Sequence, residues 1–342
     1  MKAVRIHQHG PIENLLFEDV PTPEPKSSEV LVRVRGCALN HLDIWVRQGL
    51  PGVKIPLPHI PGCDVAGEIE SIGSHVKSHE KGEKVIIAPG VSCGKCFQCA
   101  NAFDSACDDY DIIGYRRDGG YAEYVAIPER NVFPLPSHLS FEESASIPLV
   151  FLTAWHMLVT RCNIRPGETV LVLGAGSGVG IAAIQIAKLF NAHVIATAGS
   201  AEKLDKAKQL GADNVINHTT QDIVEEVRKI TDRKGVDIVF EHIGAATWDK
   251  SLRVLGKRGR LVTCGATTGS SVNFDLRFLF TRQLSILGSY MGSLSEFIEV
   301  LKFVNQKKLR PVVAKTFALK DAQEAHRLME SRDFFGKIVL KI

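Results

Sequence analysis

Four cysteines constrain this chain more than any other feature: Cys93, Cys96, Cys99 and Cys107 fall within the segment GVSCGKCFQCANAFDSACDDY. Three of them follow C-x-x-C-x-x-C spacing, and the fourth returns after a short loop. Thiolates so placed can converge tetrahedrally on one soft divalent ion and leave no position open for substrate. The pattern predicts a structural zinc site, with one ion per chain. Disulfides and free thiols are the alternatives. Neighbours three apart bridge poorly, and no secretory signal marks an oxidising destination. Ligand number and spacing both favour the metal.

The 342 residues suffice for two domains, and 45% hydrophobic with 23% charged residues describes an ordinary globular protein. A formal charge of +3 and the lack of a basic–aromatic stripe exclude nucleic acid or an anionic membrane as an implied partner. Cys37, Cys63, Cys162 and Cys264 are scattered, and read as buried small hydrophobes in a reducing cytosol. The N-terminal residues show no apolar export signal, so a cytoplasmic location is expected. Residues 170–187 carry no charge and are as long as a membrane span. Their four glycines make a strand, a turn and a buried helix the better reading, and no membrane segment is expected.

The fold class is α/β in two parts. Alternating runs at 29–36, 66–73 and 83–90, bounded by Gly, Pro and Ser, predict a compact antiparallel unit. From about Arg165, strands alternate with helices in βαβ fashion: TVLVLG, HVIAT, NVIN, VDIVF, RLVTCG and LSILGS. Six strands in this order make a doubly wound dinucleotide fold. One more amphipathic helix and a closing strand, KIVLKI, have no place in that sheet and return to the first domain. The expected ranges are 1–152 completed by 292–342, and 153–291.

The segment Gly174-Ala175-Gly176-Ser177-Gly178-Val179-Gly180 follows a strand and opens a helix, as a pyrophosphate-binding turn must. Its glycines permit close backbone approach, and the helix N-terminus offers N–H donors. At the end of the second strand, where an NAD enzyme places a carboxylate, the chain reads Ala198-Gly199-Ser200. Ser200 and Lys203 can accept a 2′-phosphate, so NADP is expected, with NAD the alternative.

These features together resemble the medium-chain dehydrogenase/reductases, the superfamily of zinc alcohol dehydrogenases and quinone reductases. The resemblance spans a GroES-like first part, the cysteine lobe, DGGYAEYV at 118–125 and the Rossmann unit. It implies cofactor contacts at Thr153, Gly244, Cys264 and Gly265, and pairing into a homodimer or homotetramer through the last Rossmann strand. In the zinc alcohol dehydrogenases, the first catalytic zinc ligand is a Cys three residues before an Asp. Here Asn40-His41-Leu42-Asp43 puts Asn at that position and Leu at the proton-relay position. The Gly-His-Glu triplet of the second ligand is Gly62-Cys63-Asp64, and the third ligand falls near Leu149. Cys63 is the one remaining ligand, with Cys37, His41 and His59 as nearby donors that could rebuild a site.

Without a Lewis acid nothing lowers the pKa of an alcohol, whereas hydride delivery to a quinone, enone or enal needs only positioning and hydrogen bonds. The expected activity is therefore NADPH-dependent reduction of an activated C=C bond or quinone. Asn40 would orient nicotinamide or substrate carbonyl, His41 would donate a proton, and Asp43 would bond backbone around the pocket. Trp45, Leu149, Phe151 and Phe274 suggest a small apolar substrate. A zinc-dependent alcohol dehydrogenase is the alternative. A non-catalytic nucleotide- or nucleic-acid-binding protein on the same scaffold is a third reading.

Overall fold

The computed structural model describes residues 1–342, which divide into two compact units. The first comprises Met1–Leu149, Gly292–Gln306 and Arg310–Ile342; the second comprises Val150–Met291 with Lys307–Leu309. The boundary falls at Leu149 rather than 152, inside the short helix Pro148–Trp155.

After an antiparallel pair of short strands, Lys2–Arg5 and Leu16–Asp19, the first unit contributes β1 (Glu29–Ala38), α1 (His41–Gln48), β2 (Asp64–Ile72), β3 (Lys84–Ile87), β4 (Tyr124–Pro128) and β5 (Val132–Pro134). Period-two alternation sets the faces of β1. Val30, Val32 and Val34 are buried, while Arg33 and Arg35 reach across to Glu70 and Glu68 of β2 at 2.6 and 2.8 Å.

The second unit alternates strand and helix. It contains β6 (Thr169–Val172), α2 (Gly178–Leu189), β7 (His193–Ala198), α3 (Ala201–Gln209), β8 (Asn214–Asn217) and α4 (Ile223–Ile230). Then follow β9 (Val236–Glu241), α5 (Trp248–Val254), β10 (Leu255–Thr263) and β11 (Ser285–Gly288). The strands form one parallel sheet in the order β8-β7-β6-β9-β10-β11. Order reverses between β6 and β9, and the carboxyl ends there are where such sheets bind ligand. The uncharged segment 170–187 is β6, its turn and α2, whose residues Gly180–Ala187 are all buried. No helix is long and apolar enough to cross a membrane.

The chain then rejoins the first unit with α6 (Leu294–Asn305), β12 (Val313–Ala318), α7 (Ala322–Ser331) and β13 (Lys337–Lys341). The first unit's sheet runs β12-β13-β1-β2-β3-β5, with β4 also paired to β1. All of these pairs are antiparallel except β12 with β13. The sequence reading contained α6 and β13 but not β12 or α7. β12 is an edge strand with mostly exposed side chains, and α7 buries only Ala322, Ala325 and His326. β12 shows no clear apolar alternation, and the inward positions of α7 that are buried are small or polar residues, which mark its face only weakly.

β13 is the last strand of the chain, yet it sits between β12 and β1 in the sheet. Its Ile338, Val339 and Leu340 are fully buried. Replacing Ile338 by Ala should cost about 2–5 kcal/mol in urea-monitored unfolding; a cost below about 1 kcal/mol would show that this strand is not part of the cooperative core.

Candidate functional site

The cysteine lobe is built on turns. Cys93, Cys96, Cys99 and Cys107 place their Sγ atoms within 4.8 Å of one another. Cys93 and Cys99 are 3.9 Å apart, and Cys96 and Cys99 are 3.5 Å apart. These spacings far exceed a disulfide bond of about 2 Å. They match the roughly 3.8 Å between thiolates on a tetrahedral zinc with Zn–S of about 2.3 Å. N–H groups of Lys95 and Cys96 pull the Cys93 thiol down to about 6, toward the ligating thiolate. The donor set fits a structural zinc ion.

The turn after β6 carries the dinucleotide features. Gly174 has φ +60, and a Cβ on Gly180 would lie 2.5 Å from the Gly174 carbonyl oxygen, so only glycine fits there. Ser177 caps α2 by accepting from the Gly180 N–H at 3.0 Å, and Ala175 N–H donates to Thr197 O at 2.8 Å. Gly176, Gly178 and Val179 belong to the same turn and first helical residues.

His242, absent from the sequence reading, follows β9 and faces this turn. Its Nε2–H donates to Leu173 O at 2.8 Å, and its ring lies 3.1 Å from where a Cβ on Gly174 would be. Gly265 approaches the His242 carbonyl, and Gly244 has φ +95 with its N–H donating to Glu241 Oε1 at 3.0 Å. Glu241, fully buried, also accepts from Ile243 N–H, Thr247 Oγ1 and Ser251 Oγ, and so fixes the turn holding Gly244. Cys264 is held as a thiol, pushed up to about 12 by burial. Thr153 is buried, and its Oγ1 has no partner. An orphaned hydroxyl at this depth needs a hydrogen-bonding ligand. The close-approach glycines and this hydroxyl fit a nicotinamide dinucleotide.

The reaction-centre candidates lie in the first unit. Asn40 N–H donates to Asp43 Oδ2 at 2.7 Å and starts α1. The Asn40 amide is 5% exposed and spent on internal partners: Nδ2 donates to Asp64 Oδ2 at 2.8 Å and to Cys63 Sγ at 3.2 Å. Its Oδ1 accepts from Lys337 Nζ at 2.6 Å. Lys337, the first residue of β13, is 4% exposed and donates also to Asp64 Oδ2 at 2.9 Å and Leu39 O at 2.7 Å. The other Asp64 oxygen accepts the Leu149 N–H at 2.7 Å. Thus Asn40 and Cys63, two of the positions expected to hold metal ligands, touch each other directly, and Asp64 links Asn40 and the buried ammonium to Leu149. Burial, then the charges of Asp64 and Asp43, push the Cys63 thiol far up.

Beneath this cluster, Asp43 is buried, and Gly62 N–H and Tyr121 Oη also donate to it, at 3.1 and 3.3 Å. Tyr121 Oη lies 3.2 Å from His326 Nε2, so Asp43, Tyr121 and His326 form a buried hydrogen-bonded row. Burial, followed by nearby Arg47, pulls His326 down to about 3 and keeps it neutral. Cys37 is buried, and His59 is buried with Nε2 bonded to Gly114 O at 3.1 Å. His41 alone among the four candidates is partly exposed, with its ring edge-on to Trp45 at 5.0 Å. Lys337, Tyr121, His326, Glu241 and His242 were missed from sequence. The visible signal for the first was a lysine opening an apolar strand.

Residues 26–137 match the family described as alcohol dehydrogenase GroES-like domain, and residues 178–306 match that described as zinc-binding dehydrogenase. The chain is 33% identical to the NAD-dependent alcohol dehydrogenase of Sulfurisphaera tokodaii, with 99% of each covered. It is 32% identical to the quinone oxidoreductase of Sus scrofa, covering 99% of this chain and 97% of that one. A solved NAD-dependent alcohol dehydrogenase shares 48% identity at a TM-score of 0.97, over 100% of both chains.

Burial raises Asp43 to about 7, against 3.8 ordinarily. The folded protein therefore holds a proton that the unfolded chain has released, and stability from this group falls as pH rises toward 7. Between pH 5 and pH 8 the wild type should lose about 2–3 kcal/mol relative to Asp43→Asn. Parallel pH profiles of unfolding free energy for the two proteins would contradict this.

Proposed function

The chain belongs to the medium-chain dehydrogenase/reductase superfamily of alcohol dehydrogenases and quinone oxidoreductases and is an oxidoreductase, and from that premise we propose that it reduces an activated C=C bond or quinone with NADPH, without a catalytic zinc. The observation that carries this reading is the Asn40–Cys63 contact beside the Lys337 ammonium. Asn is a poor zinc ligand and Leu149 is none, and the Asn40 amide already donates to the one remaining thiol. Three firm protein ligands and an open position are what a catalytic zinc needs.

Bound NADPH would supply hydride to the β-carbon of the substrate. The residues to hold it are the turn Gly174–Gly180, Thr153, His242, Gly244 and Gly265, with the 2′-phosphate toward Ser200 and Lys203. The Asn40 amide, engaged on all sides, acts by fixing the start of α1 rather than by touching substrate. Asp43 shares that task through the backbone N–H groups of Asn40 and Gly62, and His41, partly exposed, is the residue placed to give up a proton. Half-exposed Leu42, Trp45 and Leu149 suit a small apolar carbonyl compound. One zinc per chain belongs to the cysteine lobe.

A second reading, a zinc-dependent alcohol dehydrogenase that uses NAD, is favoured by the names of the similar alcohol dehydrogenases. Initial rates separate the two. NADPH should be oxidised with quinones, enones or enals, while primary and secondary alcohols with either cofactor should give rates lower by about two orders of magnitude or more. Alcohol oxidation matching enal reduction would reverse the assignment.

We further propose pairing of two copies through β11. It is the terminal strand of its sheet, and the adjoining helix Leu276–Thr281 exposes Leu276, Phe278 and Phe280. Light scattering at micromolar concentration should give at least twice the 37.5 kDa chain mass; a monomer would refute the pairing.

A further inference from the structure

Just before β5, a fully buried asparagine fastens a one-turn segment to the strand that enters the cysteine lobe, and the next residue back is an arginine lying against that lobe. We infer that Arg130, acting through the hydroxyl of Ser92, balances the charge of the four thiolates and so holds the zinc ion in its cage. The inference rests on the zinc reading of the lobe and adds two positioning residues outside the cysteine quartet.

The backbone fixes where the guanidinium goes. Glu129–Asn131 form a single turn of 3-10 helix between β4 and β5. Asn131 Nδ2 donates to Ala88 O at 2.9 Å and to Gly90 O at 2.6 Å, and the Asn131 carbonyl accepts from Ala88 N–H at 2.8 Å. These bonds tie the turn to the strand Gly90–Val91, which leads directly to Ser92 and Cys93. Gly94, with φ +76, lies between the first two cysteines, and a Cβ there would overlap Arg130 Nη1 and lie 3.1 Å from its Cζ. Glycine at 94 therefore lets the guanidinium rest on the loop from Cys93 to Cys96.

Hydrogen bonding sets the direction of the relay. Arg130 Nη2 donates to Ser92 Oγ at 3.2 Å, and a guanidinium can only donate. Ser92 is 7% exposed, so its own proton needs an acceptor within the lobe. Cys99 Sγ takes it, and accepts from the Gly94 N–H as well. The two residues that Arg130 touches are thus the two that donate to Cys99. Cys93 N–H serves the fourth thiol, donating to Cys107 Sγ at 3.4 Å. Four thiolates around one divalent ion leave a net charge of about −2. Arginine keeps its own charge wherever thiolates persist, and it reaches them through a hydroxyl rather than displacing a ligand. The lobe's buried carboxylate, Asp104, accepts the Leu294 N–H at 3.1 Å at the start of α6.

The experiment measures zinc affinity of the full-length protein by competition with a chromogenic chelator, for wild type, Arg130→Met, Ser92→Ala, the double variant and Arg130→Lys. Arg130→Met and Ser92→Ala should each weaken zinc binding about tenfold or more. Because the two residues act in series, the double variant should stay within about twofold of Arg130→Met. Arg130→Lys, which keeps the charge, should recover most of the loss. Ser92→Ala removes one oxygen and leaves the arginine turn intact, so it reads the relay even where Arg130→Met fails to fold. Affinities within twofold of wild type in both single variants would overturn the relay and leave the zinc reading standing. Additive losses in the double variant, or no recovery in Arg130→Lys, would also overturn it. A wild type that takes up no zinc would overturn the zinc reading of the lobe, and this inference with it.

Discussion

A buried ion pair, Lys337 with Asp64, stands at the centre of the candidate site in the first unit. The ammonium is 4% exposed and meets three acceptors: Asp64 Oδ2, Asn40 Oδ1 and Leu39 O. Removing a charge from water costs several kcal/mol, and that cost is offset only where every donor finds a partner. Here all three do. The pair forms where the end of the chain returns to the first unit, a return that also buries Ile338, Val339 and Leu340. β13 brings its lysine to the point where β1 hands over to α1, and the strand pairing Val339 opposite Ala38 sets that position.

The cysteine lobe and the lysine cluster are organised in different ways. In the cysteine lobe, four thiols gather at distances suited to a divalent ion, with backbone N–H groups already favouring the thiolate of Cys93. Around Asn40 the thiol of Cys63 is buried against an amide, and a lysine provides the local charge. Chemistry that polarises an alcohol oxygen needs an open metal position. Chemistry that delivers hydride to an already activated carbon needs oriented partners and a proton source. The second fits the groups around Asn40, where each polar atom has a fixed neighbour and His41 stands at the surface.

Much of this was legible in the sequence, for definite reasons. Continuous apolar strands such as TVLVLG, and the glycines that follow, can fold in few ways other than a parallel sheet with a phosphate turn. The cysteine quartet is local, so its spacing reports its geometry directly. What escaped was long-range. Tyr121 meets His326 across 205 positions and Lys337 meets Asp64 across 273, and no periodicity announces such pairs. β12 is an exposed edge without apolar alternation, and the buried face of α7 is made of two alanines and a histidine, a weak signal in sequence. Asn40 was read as a group facing substrate, whereas its amide is turned inward; the sequence names the residue but not the lysine that claims its oxygen.

Elemental analysis of the purified protein, with Cys63→Ser beside wild type, tests the central claim most directly. The account expects one zinc per chain in both, held by the four cysteines of the lobe. Two zinc ions in wild type, falling to one in Cys63→Ser, would contradict it and restore a metal to the reaction centre.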